Sequence, residues 1–317
     1  MPTIATLDVP PFCLGGNVFG WTADEEASFA VLDRTLEAFD GRLFVDSADV
    51  YSAWADGHGG GESEAVLGRW IKSRGVRGQV VVATKVGMKD GLTMLDAQTV
   101  RRALQASLDR LGIEQVDLYY AHTFDEDTPL ADTVAAFGGL VEEGLVRHVA
   151  ASNHDAAQLA EGLRLADEQG VAGWVAVQNG MSLVRHETHG ADLAAVCRDN
   201  GVAAVPYGAL AGGFLTGKYT PGGPTPDTPR AERTRRHLDA ARGPAVLAAL
   251  GEVAAGHGVP VAAVAVAWVA HQDAVVAPIA SARSAEQLEP LLTGATLELT
   301  SEELDALTTA SRLPGAD

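Results

Sequence analysis

Short apolar runs alternate with longer segments of helical period along nearly the whole chain, and this alternation limits the possible folds more than any other feature. The runs are "FCLGG", "LFVDS", "VVVATK", "VDLYYAH", "HVAASN", "WVAVQ", "VAAVPY" and "AVVAPIA". Each is rich in Val, Ala, Ile or Leu and lacks a clean polar alternation, as expected of a parallel strand covered on both faces. Between them, "TADEEASFAVLDRTLEAF" offers Thr22 or Asp24 as a helix cap and places acids in its first turn. "ESEAVLGRWIKSRG" ends at Gly75, and "AQTVRRALQASLDRLG" and "LADTVAAFGGLVEEG" also end at glycine, the residue that most readily stops a helix. Eight βα units in a chain of 317 residues predict the α/β class and a closed (β/α)8 TIM barrel, with residues 1–317 as a single domain. There is no internal repeat and no linker. One segment breaks the rhythm: "TGKYTPGGPTPDTPRAERTRR", rich in Pro, Gly and charge, predicts a long covering loop at about 214–242.

The formal charge of -19, from 23 basic and 42 acidic residues, argues against nucleic acid and anionic membrane as partners, since both select a basic footprint. Cys13 and Cys197 are the two cysteines, too few for a disulfide framework. The start, "MPTIATLDVP", lacks a basic, then apolar, leader, and "VPVAAVAVAWVA" is too short to span a bilayer, so a cytoplasmic location is expected. The oligomeric state is not legible.

In such a barrel the working face lies at the carboxyl ends of the strands. The second run ends in Asp46, with Tyr51 just beyond it; the third ends in Lys85 and the fourth in His122. A buried carboxylate at a strand end needs a partner, and Lys85 on the neighbouring strand supplies one. An ammonium beside Tyr51 is expected to lower its pKa from about 10 and make it a proton donor or acceptor at a carbonyl oxygen. His122 is placed to hydrogen-bond the same oxygen. The set holds no nucleophile and no metal cluster, so it polarises a carbonyl and needs a hydride source, which implies a nicotinamide. Taken singly, Asp46 and Lys85 read as a structural ion pair, His122 as a core histidine and Tyr51 as a loop tyrosine on Trp54. Their joint placement on successive strand ends favours the functional reading.

With these residues in view, the sequence resembles the aldo/keto reductase superfamily along nearly its whole length. The matching stretches are "LGGNVFG", "VDSADVYS", "GESEAVLGRWI", "VVATKVG", "SLDRLGIEQVDLYYAH", "LVEEGLVRHVAASNH", "GALAGGFLTGKY" and "APIASARSAEQL". The resemblance implies a barrel that binds NADPH without a Rossmann fold and reduces small aldehydes or ketones to alcohols. It assigns Tyr51 as acid/base, Asp46 and Lys85 as its tuning pair, and His122 as the orienting group. It also places Gly16 and Asn17 by the nicotinamide ribose, Ser152, Asn153 and Gln178 at the carboxamide, and Tyr207 against the ring. Gly208, Leu210 and Gly212, with Lys218, fall at the pyrophosphate; Ser281, Arg283 and Gln287 fall at the adenosine end, where an arginine can hold a 2′-phosphate. Trp21, Trp54 and His154 are candidates for the substrate pocket, although loop packing explains them as well.

The chain departs from the family pattern in places. Met181 and Ser182 stand where a Tyr-Asn pair is frequent, Gly208 stands where a serine is frequent, and Pro290 and Leu291 stand where a Glu-Asn pair often meets the adenine. The last change leaves NADH open beside NADPH. "GGFLTGK" has P-loop spacing, but Tyr219 follows the lysine instead of Ser or Thr. "HETH" and His58 lack zinc-site spacing, so no metal is expected. Two other functions compete with this reading: a cofactor-binding regulatory subunit like those of potassium channels, and a reductase dedicated to a sugar or natural-product intermediate. In the latter, Arg230, Arg233, Arg235 and Arg236 would offset the acidic surface.

Overall fold

The computed structural model describes residues 1–186, 189–219, 223, 234–239 and 241–314. Strands β1 (Thr3–Ile4) and β2 (Leu7–Asp8) form an antiparallel hairpin. The barrel strands follow: β3 (Cys13–Gly15), β4 (Leu43–Asp46), β5 (Val80–Val86), β6 (Val116–Ala121), β7 (Val146–Ser152), β8 (Trp174–Gln178), β9 (Ala203–Ala204) and β10 (Ile279–Ala280). They pair in parallel in the order β10-β3-β4-β5-β6-β7-β8-β9. Parallel bridges Ala204↔Val275 and Tyr207↔Ile279 close the two ends, with Val276 N donating to Ala204 O at 2.9 Å and Ile279 N to Pro206 O at 2.8 Å. The sheet is therefore the (β/α)8 barrel expected, and all eight apolar runs supply its strands.

The interior of the barrel is filled by Cys13, Phe44, Ala83, Leu118, Tyr120, Ala150 and Ala176, and Ile4, Leu7 and Val9 belong to the same cluster. The N-terminal hairpin therefore contributes its apolar side chains to the barrel interior. Its strands are too short to show a period, so the sequence alone did not reveal it. The larger core lies between strands and helices, around Trp70, Tyr119, Phe137 and Trp268.

Helix boundaries follow the expected chemistry. Asp24, not Thr22, caps helix Glu25–Ala38 by accepting from Ala27 N. Gly75 and Gly112 end their helices at φ +67° and +64°, a left-handed conformation that glycine adopts without a Cβ clash. Helix Leu130–Glu142 is capped by Glu143, one residue earlier than the glycine at 144. Gly68 lets helix Glu62–Arg74 approach helix Ala97–Leu111 so closely that a Cβ there would lie 2.5 Å from Arg110 O. This contact sets Glu64 against Arg110. No single described helix is long and apolar enough to cross a membrane. In the expected 214–242 loop, short 3-10 turns span Ala211–Thr216 and Arg236–Leu238; most of the loop, with Arg230 and Arg233, lies outside the described residues.

Candidate active site

Register brings the strand-end side chains together: Asp46 pairs with Ala83 across β4 and β5, two residues before Lys85. Lys85 is wholly buried, and its Nζ donates to Asp46 at 2.6 Å, Ser47 O at 2.7 Å and Tyr51 Oη at 2.9 Å. All three ammonium protons are therefore spent. Tyr51 Oη donates to Asp46 Oδ2 at 2.9 Å, and Gln178 Nε2 donates to Asp46 Oδ1 at 2.9 Å. A buried carboxylate bound three ways is stable where an unpaired one would cost several kcal/mol. The His122 ring lies edge-on to Tyr51, centroids 6.1 Å apart, and its Nδ1 has no hydrogen-bond partner among the described residues.

The electrostatics correct one expectation. Tyr51 is held well above the ordinary tyrosine value, not below it, first by burial and then by the negative charge and hydrogen bond of Asp46. Burial also pushes Lys85 down against the opposing pull of Asp46, and burial with the Lys85 charge pushes His122 well below its ordinary value. The phenol is thus protonated and the imidazole neutral over the physiological range. The Lys85 ammonium, 2.9 Å from Oη, is where a phenolate would be stabilised once its proton had gone.

These groups open onto a cavity of about 910 Å³. Asn17, Trp21, Asp46, Tyr51, His122, Ser152, Asn153, Gln178 and Tyr207 line it at the strand ends. Gly208, Leu210, Gly212, Lys218, Ser281, Arg283 and Gln287 continue it outward. Asn153 sits at φ +55°, donates through Nδ2 to His122 O at 2.8 Å, and accepts from Tyr207 Oη at 2.8 Å. Ser152 Oγ donates to Gln178 O at 2.8 Å, and Ser281 Oγ donates to Asn17 Oδ1 at 2.7 Å.

A protonated, half-buried tyrosine beside an ammonium and a neutral histidine, at the strand ends of a barrel, is an arrangement for proton transfer at a carbonyl oxygen. The aldo/keto reductase family model matches residues 11–312. The chain belongs to the aldo/keto reductase family. Norsolorinic acid reductase stcV of Emericella nidulans is 30% identical over 95% of this chain and 78% of its own length. The uncharacterized oxidoreductase YrpG of Bacillus subtilis is 31% identical over 98% and 95% respectively. Aldo-keto reductase yakc [NADP(+)] of Schizosaccharomyces pombe is 32% identical over 65% and 59%. This aldo/keto reductase is accordingly an oxidoreductase of carbonyl groups that works with a nicotinamide cofactor. A role as a regulatory subunit alone is not favoured.

The residues of this reductase fit such a cofactor. Among the described residues, four basic side chains, Arg185, Lys218, Arg236 and Arg283, line the cavity against one carboxylate, Asp46, which Lys85 already neutralises. In a protein of formal charge -19 that local excess suits an anionic dinucleotide. The exposed guanidinium of Arg283 makes no ion pair or hydrogen bond with a described residue, while Gln287 Oε1 accepts from Arg283 N at 3.3 Å and shapes its turn. Gly208, at φ +82°, leaves open space where a side chain would stand.

Three candidates sit elsewhere than expected. Gly16 does not line the cavity: its N donates to Asp46 O at 2.8 Å and its O accepts from Ser63 Oγ at 2.8 Å. A Cβ there would meet both atoms within 3 Å, so Gly16 packs the first loop, and its neighbour Gly15 lines the cavity. His154 is buried behind the wall, Nδ1 against Ser152 O at 2.9 Å and the ring against Phe124 and Trp174. Trp54 is half-exposed, packed edge-on to Trp21 at 5.5 Å, and does not line the cavity. Met88 and Arg185, which do line it, escaped sequence reasoning because they sit on loops beyond the strand ends, where no period marks a side chain's direction. Counting past Lys85 would have reached Met88.

Proposed function

We propose that this protein reduces an aldehyde or ketone to the alcohol with NADPH, Tyr51 giving the proton to the carbonyl oxygen. The observation that carries this reading is Tyr51 Oη lying between Asp46 at 2.9 Å and Lys85 at 2.9 Å, at the floor of the cavity. Reduced nicotinamide, when bound, supplies the hydride. Asn153 and Gln178 offer amides to the carboxamide, Tyr207 offers a ring face, and Gly208, Leu210, Gly212 and Lys218 border the pyrophosphate. Arg283 takes the 2′-phosphate that distinguishes NADPH from NADH, which is the reason to prefer the former.

With substrate bound, Tyr51 would turn its hydroxyl proton from Asp46 to the carbonyl oxygen and neutral His122 would donate beside it, and these hydrogen bonds would draw charge onto the oxygen. As the oxygen becomes an alkoxide it takes the Tyr51 proton. Lys85 stabilises the resulting phenolate, and Asp46 keeps Lys85 charged despite its burial. Proton return to Tyr51 completes the cycle. Trp21, Val18, Met88 and Met181 line the cavity with apolar surface for the rest of the substrate.

The test is a fluorescence titration of the purified protein with NADPH and, separately, NADH. Tight NADPH binding with tryptophan quenching, and weaker NADH binding, is expected. Equal affinities would remove the 2′-phosphate role of Arg283, and binding of neither would overturn the cofactor reading.

A further inference from the structure

A second buried carboxyl lies in the turn that carries Tyr51. Asp49 is fully buried, yet no side chain among the described residues hydrogen-bonds either of its oxygens, and the adjacent Val50 N–H is the backbone donor that favours its ionised form. Its backbone N donates to Lys85 O at 3.2 Å, and Tyr51 N donates to Ala48 O at 3.1 Å, so Asp49 is held within one tight turn between Asp46 and Tyr51. The mechanism above makes no use of it.

The charged groups facing Asp49 come from several elements. Glu64, on helix Glu62–Arg74, is itself buried and repels a second negative charge. Arg110, on helix Ala97–Leu111, attracts it, but its Nε is committed to Glu64 Oε2 at 2.7 Å. Thr84 Oγ1 takes the other Glu64 oxygen at 2.5 Å. Lys89, in the loop after β5, attracts it too, while its Nζ donates to Gly60 O at 2.9 Å. Lys85 and the buried Tyr119 also feel its charge, but every Lys85 proton is spent on Asp46, Ser47 and Tyr51. None of these cations is hydrogen-bonded to Asp49: Lys85 has no proton left, Arg110 pairs with Glu64, and Lys89 donates to Gly60 O. Ionisation of Asp49 therefore favours a shift of the turn or of Lys89 toward it, and Tyr51 moves with the turn.

We propose that Asp49 is a positioning residue: as the neutral acid it stays packed beneath the turn that presents Tyr51 to the carbonyl, and its ionisation loosens that turn and slows turnover. The inference rests on the reading of Tyr51 as the acid. Burial, reinforced by Glu64, raises the Asp49 carboxyl from its ordinary value to about 7, which brings the switch into the physiological range. Tyr51, held high, and His122, held low, do not titrate there.

The experiment is the pH profile of kcat for benzaldehyde reduction at saturating NADPH, in the wild type, Asp49→Asn and Tyr51→Phe. The wild-type kcat is expected to fall about tenfold from about pH 6 to about pH 8, and the ratio in Asp49→Asn to stay near one, because the amide cannot ionise. An unchanged fall in Asp49→Asn overturns the inference. If Tyr51→Phe turned over at the wild-type rate, the acid assignment and this inference would fail together; if Tyr51→Phe is dead while Asp49→Asn keeps the wild-type profile, Asp49 alone is refuted. Should Asp49→Asn not fold, infrared titration of the native protein labelled at aspartate carboxyls decides. A protonated aspartic acid lost around neutral pH supports the inference, and complete ionisation of every aspartate by about pH 5 overturns it.

Discussion

Asp46 and Asp49 lie one turn apart and are equally buried, yet their surroundings are opposite. Asp46 meets an ammonium, a phenol and an amide. Asp49 meets a second carboxyl, and the cations near it are hydrogen-bonded to other groups. The difference shows that burial alone does not set a carboxyl's state. What matters is which donors face it: Lys85 and Gln178 at the ends of β5 and β8, with Tyr51 from the turn after β4, converge on Asp46, whereas Asp49 meets no side-chain donor, only the Val50 N–H.

Substitutions can break this contrast, and the largest expected effect is on the reaction. Tyr51→Phe removes the proton that the Asp46 cluster holds and should lower kcat by about two to four orders of magnitude, with NADPH affinity unchanged in the same titration. Lys85→Met would turn Asp46 into a second Asp49. Chemical denaturation should show a loss of about 3–5 kcal/mol, because one partner of a buried ion pair has gone, and turnover should fall as well.

Asp49→Asn acts in the opposite direction. A carboxyl whose folded pKa is raised from 3.8 to about 7 holds its proton in the fold and loses it in the unfolded chain across that interval. The native protein therefore loses stability as pH rises through the window. The asparagine variant should be the more stable above about pH 7, by at most about 4 kcal/mol, and the gain should vanish below about pH 4 in parallel denaturation curves. Arg283→Ala carries the comparison to the surface, where a free cation costs little. It should weaken NADPH by about ten- to a hundredfold and leave NADH and saturated kcat unchanged.

The barrel was legible because a strand covered on both faces leaves a run of Val, Ala, Ile and Leu, and eight such runs left little room for another architecture. Asp46, Tyr51, Lys85 and His122 were legible as candidates because a polar residue at the end of an apolar run has one direction to face in a barrel. Loops gave less. Trp54 and His154 sit beside cavity-lining residues in the chain but turn to other rings, and Gly16 serves the packing of a loop against Ser63. The direction of the Tyr51 shift was also hidden. The sequence announces a lysine near the tyrosine, but not that the lysine's charge is shared out while the phenol donates to Asp46. Likewise nothing in "DSADVYS" distinguishes the satisfied aspartate from the unsatisfied one, because that difference comes from helices Glu62–Arg74 and Ala97–Leu111.

The most direct measurement uses NADPH deuterated at the transferring position of the nicotinamide, incubated with benzaldehyde and either the wild type or Tyr51→Phe, with the alcohol analysed by mass spectrometry. Hydride transfer with Tyr51 as the acid predicts deuterium at the carbinol carbon with the wild type and almost no alcohol with Tyr51→Phe, although both bind NADPH. Alcohol without deuterium, or equal labelled yields from the two proteins, would contradict it.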